Sequence, residues 1–255
     1  MTAPLSRRAF LAGAGALVGL VACSPTRRLP TGAAGAPGRR ATTAAALAGS
    51  GRARFVESGP ATERAVAFTF HGSGDPALTR QLLDVARRES VPITVFAVGQ
   101  WLDEHPELAT VITAGGHELA NHTYTHPALE RVGRAALTAE ITRCRDTLWR
   151  RSGSPGRWFR PSGVTVPTTA MLEESARAGY ATVVGFDVDP RDYEDPGPSA
   201  VLQRVSAGLR PGAIVSLHTG HAGTVTAFAP MVAAARHLGL RPVALRELLA
   251  TGDRQ

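Results

Sequence analysis

Strand-like and helix-like hydrophobic patterns alternate along this chain from residue 65 onward. Runs rich in β-branched and aromatic residues, bounded by Gly, Pro or polar clusters, fall at residues 65–70, 93–98, 117–121, 158–161, 182–188, 213–217 and 241–245. Between several of them, apolar positions three and four apart predict helices. These cover residues 76–89, with Leu78, Leu82, Val85 and Ala86 on one face, residues 135–150, and residues 199–209. Such alternation predicts an α/β domain with a parallel sheet and crossover helices, and about seven strand units predict closure into a barrel. The chain's 255 residues are enough for one barrel-sized domain without a second core.

The N-terminal stretch breaks the pattern. An apolar, Gly/Ala-rich run covers residues 10–22, too short to span a bilayer. Ser6-Arg7-Arg8-Ala9-Phe10-Leu11 resembles a twin-arginine export signal, and Leu20-Val21-Ala22-Cys23 resembles a lipobox whose cysteine is lipidated after cleavage. Residues 24–54 carry Ala, Gly, Pro and Arg without apolar periodicity, as a disordered stalk does. The expected organisation is therefore a signal peptide over 1–23, a stalk over 24–54 and a catalytic domain over 55–255. The protein is expected outside the cytoplasm, held to the membrane through lipidated Cys23.

Charge supports this division. The formal charge is +7, but residues 1–54 hold eight arginines and no acid; of 28 basic residues, 20 remain against 21 acidic ones, a net of −1. The domain thus lacks the clustered excess of cations that nucleic acid requires, whereas the stalk arginines suit anionic headgroups. Only Cys23 and Cys144 are present, which excludes a disulfide framework once Cys23 is lipidated. Cys144 lies on the helical row Leu137, Ile141, Cys144, Leu148 and is expected to be a buried small hydrophobe.

The residues that carry chemistry sit at the predicted strand ends. His71 follows the first run, His122 and His126 follow the third, Arg160 closes the fourth, Asp189 and Asp192 follow the fifth, and His218 closes the sixth. In barrels these ends converge on the face where active sites form. Two imidazoles four residues apart, in Asn121-His122-Thr123-Tyr124-Thr125-His126-Pro127, can close on one metal ion. Asp75-Pro76 ahead of a helical run has the form of an N-cap with proline at N1.

In order and spacing, His71-Gly72, His122 to His126, Phe159-Arg160-Pro161-Ser162-Gly163, Asp189 to Tyr193 and Ile214 to His218 resemble the five motifs of the NodB-homology polysaccharide deacetylases, carbohydrate esterase family four. The resemblance covers residues 65–249. It implies a distorted (β/α) barrel and a hydrolase that removes N-acetyl groups from a glycan with a divalent metal, here zinc. It further implies that His122 and His126 bind the metal, that His218 is the general acid with Asp192 as partner, and that Arg160 pairs with the catalytic carboxylate. Tyr193 and Pro161 would line the substrate site.

One motif departs. The family's first strand ends in Thr-Phe-Asp-Asp-Gly, with a base and then a metal ligand, and this chain reads Thr69-Phe70-His71-Gly72-Ser73. Three outcomes stay open: His71 completes a three-histidine metal site, Asp75 serves as ligand or base, or the protein binds N-acetylated glycan without cutting it. Asp75, Asp187 or Asp189 could supply the anion that Arg160 then lacks.

Overall fold

The computed structural model describes residues 51–250. The export signal, Cys23 and the stalk as far as residue 50 lie outside the described residues. The strands are β1 (Arg54–Val56), β2 (Ala65–Gly72), β3 (Thr94–Ala97), β4 (Glu118–Asn121), β5 (Thr182–Val184), β6 (Ile214–His218) and β7 (Arg241–Val243). The helices are α1 (Pro76–Arg88), α2 (Gly99–Glu104), α3 (Glu107–Ala114), α4 (Arg134–Ser152), α5 (Thr169–Arg177), α6 (Pro198–Gly208), α7 (Ala222–His237) and α8 (Leu245–Leu248). Among the described residues no helix is long and apolar enough to cross a membrane.

Among the described residues all strand pairs are parallel. Strand β2 is central: β3 pairs one side, β6 the other, β7 pairs its first residues, and β4 extends the sheet beyond β3. Single parallel bridges continue the pairing from Asn121 to Phe159, from Phe159 to Val183, and from Val188 to Val215. Together they complete a ring of pairings that begins and ends on β2, the distorted barrel-like α/β arrangement expected.

Two predicted strands are shorter than expected, for identifiable reasons. Residues 158–161 contribute one bridged residue, Phe159, because Pro161 has no N–H for a ladder. The 182–188 run stops as a strand at Val184, where the carbonyls of Val184 and Gly185 accept from the Arg160 guanidinium instead of from a neighbouring strand. At the N-terminal edge, folded structure begins inside the expected stalk. Ala53 is buried, Arg54 opens β1, which pairs with β5 over Arg54–Val56, and Arg52 meets Glu173. Three residues give too little alternation to be read as a strand.

Alternation along β2 decides the placement of the first motif. Val66, Phe68 and Phe70 point toward the helices, where Phe228 of α7 meets both phenylalanines edge-on at 5.4 Å. Ala65 and Ala67 point into the ring beside Phe96, Ala120 and Ile214. With a period of two, Thr69 and His71 share the ring-facing side and Gly72 shares the helix-facing one. On α4, Leu137, Ile141, Cys144 and Leu148 are all buried, as their spacing predicts.

Candidate active site

The expected site residues meet at the C-terminal ends of the ring strands, around a cavity of about 460 Å³. His71, His122, His126, Pro161, Tyr193 and His218 all line it. Arg160 lies just behind them, 1 % exposed. Its Nε donates to Val184 O (3.0 Å), Nη2 to Gly185 O (2.8 Å) and Nη1 to Thr69 Oγ1 (2.9 Å), with Nη1 also 3.3 Å from His71 Nε2. Among the described residues no carboxylate pairs with it. Asp75 is exposed and caps α1 by accepting from the Ala77 N–H, Asp187 pairs with Arg210, and Asp189 accepts from the Arg191 N–H. None of the three carboxylates meets Arg160, and that of Asp75 is engaged at the start of α1. Burial pushes the guanidinium down to about 9, which leaves it charged at neutral pH.

A chain of hydrogen bonds runs from this cation to a buried anion. His71 Nδ1 lies 2.9 Å from His218 Nε2, and His218 Nδ1 lies 2.7 Å from Asp192 Oδ1. Asp192 Oδ2 accepts from the His218 N–H (2.8 Å) and the Thr224 hydroxyl (2.6 Å). The partners assign the tautomers, since arginine has no acceptor and His71 Nε2 must accept from it. His71 then carries its proton on Nδ1 and donates to His218 Nε2, and His218 carries its own on Nδ1 and donates to Asp192. Burial, then the neighbouring His122, His218 and Arg160, hold His71 well below the usual histidine range, in keeping with this neutral form. Arg160 and Asp192 are thus joined through two neutral imidazoles.

His122 is fully buried, and its Nδ1 lies 2.8 Å from the Arg160 carbonyl, which can only accept. Its proton is therefore on Nδ1, and Nε2 presents a lone pair that meets no partner. Burial and then His126 keep His122 well below its ordinary pKa. An orphaned, unprotonated nitrogen facing the cavity is the form a metal ligand takes, and the ring of His126 stands 4.9 Å away. His71 stacks on His122 at 4.2 Å, but its lone pair faces Arg160 and its proton faces His218. Among the described residues, no three His, Cys, Asp or Glu side chains are arranged to hold a metal ion. In this arrangement His122 and His126 face each other, and the His71 ring is turned to Arg160 and His218.

Gly72 cannot be exchanged freely for a ligand either. A Cβ there would stand 2.8 Å from Val95 Cγ1 and 3.1 Å from both Ala97 Cα and Trp101 Cζ3, on the side away from the cavity. The loop after it is fixed from two sides, by Trp101 Nε1 donating to Gly74 O and by Thr219 donating to Ser73 O and His71 O. Tyr193 is 47 % exposed, at the cavity mouth, with its ring centroid 5.4 Å from that of His218. His117 accepts the Ile93 N–H.

Sequence reasoning missed Thr69, Thr224 and Glu140. The first two lie next to motif residues without a pattern of their own. Glu140 had a signal: it falls four residues before Cys144 on an otherwise apolar helix ridge, a place where an acid is unusual.

Parallel strands in a ring, with a His–Asp pair, a His-x-x-x-His pair and a buried arginine at their C-terminal ends, define a hydrolase site of the NodB-homology type. The polysaccharide deacetylase family profile matches residues 58–183. A chitooligosaccharide deacetylase of Bradyrhizobium sp. (strain ANU 289) is 40% identical over 162 residues, 62% of this chain and 72% of the relative. A peptidoglycan N-acetylglucosamine deacetylase structure superposes with a TM-score of 0.73 at 25% identity, covering 78% of this chain and 94% of that one. A mutant of a Bacillus anthracis CE4 family pseudoenzyme, with restored enzymatic activity, superposes with a TM-score of 0.72 at 25% identity, covering 76% and 70%. The chain belongs to the polysaccharide deacetylase family.

Proposed function

We propose that this protein removes N-acetyl groups from an N-acetylated glycan, of the chitin-like or peptidoglycan class on which its relatives are named, and that His218 moves the proton. The observation that carries the reading is the relay from Arg160 through His71 and His218 to Asp192, which opens on a cavity beside Tyr193. Hydrolysis joins a water oxygen to the acetyl carbon and breaks the carbon–nitrogen bond, with one proton passing from the water to the departing amine. His218 suits both halves of that transfer. Its Nε2 is an acceptor in the resting site, so substrate entry that displaces the His71 Nδ1–H leaves a base, and the resulting imidazolium is the acid for the amine. Asp192 orients the ring and stabilises the imidazolium, while Tyr193 offers a face for the sugar or the acetyl group.

Acetate release from chitooligosaccharide and from peptidoglycan by the full-length protein tests this, with His218→Ala as control. The substitution should lower kcat by roughly 10²- to 10⁴-fold. Equal release by both proteins would remove His218 from the reaction. A second reading, a glycan-binding protein without turnover, draws on the packing at Gly72 and the two-donor histidine pair. Saturable glycan binding with no acetate release would select it.

We also propose that the domain is tethered outside the cytoplasm through lipidated Cys23. Cys23→Ser should then move the protein out of the membrane fraction, and unchanged fractionation would refute the tether.

A further inference from the structure

The loop between His122 and His126 is held in an uncommon shape. Thr123 and His126 both have positive φ, 69° and 59°, in the left-handed region that non-glycine residues seldom occupy. Something must hold them there. The His122 N–H goes to Ala97 O and the Thr123 N–H to Asn121 Oδ1. The next two N–H groups, of Tyr124 and Thr125, both donate to one oxygen of Glu140 at 2.8 Å, and the Thr125 hydroxyl donates to its other oxygen at 2.8 Å. Glu140 projects from α4, is 9 % exposed, and forms no ion pair among the described residues. A buried carboxylate whose acceptors are spent on three donors of one loop is a clamp.

We propose that Glu140 is the positioning residue for the His122/His126 pair, fixing His126 relative to His122 by pinning the two residues between them. The kinetic part rests on the deacetylase reading above; the structural part does not. A carboxamide can do the same work: its oxygen accepts both N–H groups and its NH₂ donates to the Thr125 hydroxyl, which can also accept. Loss of the acceptors, by contrast, frees the loop, and misplacing a site histidine by about 1 Å costs roughly 10²-fold in rate.

The test uses Glu140→Ala, Glu140→Asp and Glu140→Gln in the full-length protein. Amide exchange at Tyr124 and Thr125 and the imidazole resonances of His126 are followed alongside acetate release. In Glu140→Ala, and in Glu140→Asp where the acceptors retreat by one methylene, these two amides should exchange at least about tenfold faster, the His126 resonances should shift, and kcat should fall by roughly 10- to 100-fold with KM little changed. Exchange at Ile141, in the α4 core, should stay as it was. Glu140→Gln should restore all three readouts. If Glu140→Gln proves as damaging as Glu140→Ala, or if Glu140→Asp behaves as the parent, charge rather than geometry is the cause and the proposal fails. Unchanged exchange in Glu140→Ala and Glu140→Asp refutes it outright. Should the parent release no acetate, the deacetylase reading fails by itself, and exchange and resonance positions still decide the clamp.

Discussion

Replacing Asp192 by Asn should invert the tautomers along the whole relay. The buried carboxylate accepts three hydrogen bonds, from the His218 ring, the His218 N–H and the Thr224 hydroxyl. An asparagine keeps the last two only by placing its oxygen where Oδ2 stands, which turns its NH₂ toward His218 Nδ1. His218 must then accept at Nδ1 and carry its proton on Nε2. That proton faces the Nδ1–H of His71 across 2.9 Å, and if His71 yields by moving its proton to Nε2, the clash passes to the Arg160 guanidinium. One buried donor is left facing another wherever the chain settles, at a cost of about 1–3 kcal/mol. The base at His218 Nε2 is lost at the same time, which is worth roughly 10²- to 10⁴-fold in kcat. Nitrogen-15 NMR of the imidazoles reads the tautomers and acetate release reads the rate. An Asp192→Asn protein whose His218 keeps its proton on Nδ1, with kcat within about threefold of the parent, would refute the relay.

The His122/His126 pair and the first motif give further expectations. His122→Ala should abolish any zinc binding to the purified protein, whereas His71→Ala should leave zinc affinity within about threefold, because its lone pair is engaged by Arg160; equal loss in both variants, read by calorimetry, would return His71 to the ligand set. Asp75→Ala should cost about 1 kcal/mol of stability through the lost cap on α1, with kcat retained. Burial holds His71 and His122 well below the ordinary histidine pKa of about 6.5, so the unfolded chain binds more protons than the folded one below that pH. They leave stability unchanged above pH 6.5 and lower it as pH falls, by up to about 1.4 kcal/mol per pH unit for each imidazole, and a denaturation midpoint flat between pH 7 and 5 would contradict it. Gly72→Asp should destabilise by about 1–3 kcal/mol, because its first carbon meets Val95, Ala97 and Trp101.

The strand pattern was legible wherever hydrophobic runs exceeded four residues, and so was the convergence of His71, His122, His126, Arg160 and His218. Strand β1 was not, since Arg54–Val56 owes its structure to pairing with β5. Helix α7 escaped because its Ala-rich sequence and internal Pro230 blur the amphipathic period. The site's residues could be named from spacing, but their bonds could not. Whether His71 faces a metal or a guanidinium depends on the side of β2 that it occupies and on what Arg160 meets across the ring, and neither is encoded in a local pattern.

The two substitutions of the first motif have different physical characters. At position 71 the ring-facing direction is preserved, and a neutral imidazole stands between Arg160 and His218, accepting from one and donating to the other. A carboxylate there could accept from Arg160 but would have no proton for a His218 nitrogen that itself accepts; it would draw a proton onto Nε2 and charge the imidazole. Aspartate at 71 therefore favours a resting site with His218 as an acid, and histidine at 71 favours one with His218 as a base. At position 72 the side chain points to the helix layer, where Trp101 and Val95 have closed over the space. Converting both residues to aspartate thus asks for a change of protonation at one and a repacking at the other. If His71→Asp alone shifts the pH profile while His71→Asp with Gly72→Asp adds only instability, the first motif works here through the relay; if the double variant alone gains zinc and activity, position 72 reaches the cavity by a backbone shift that the packing must permit.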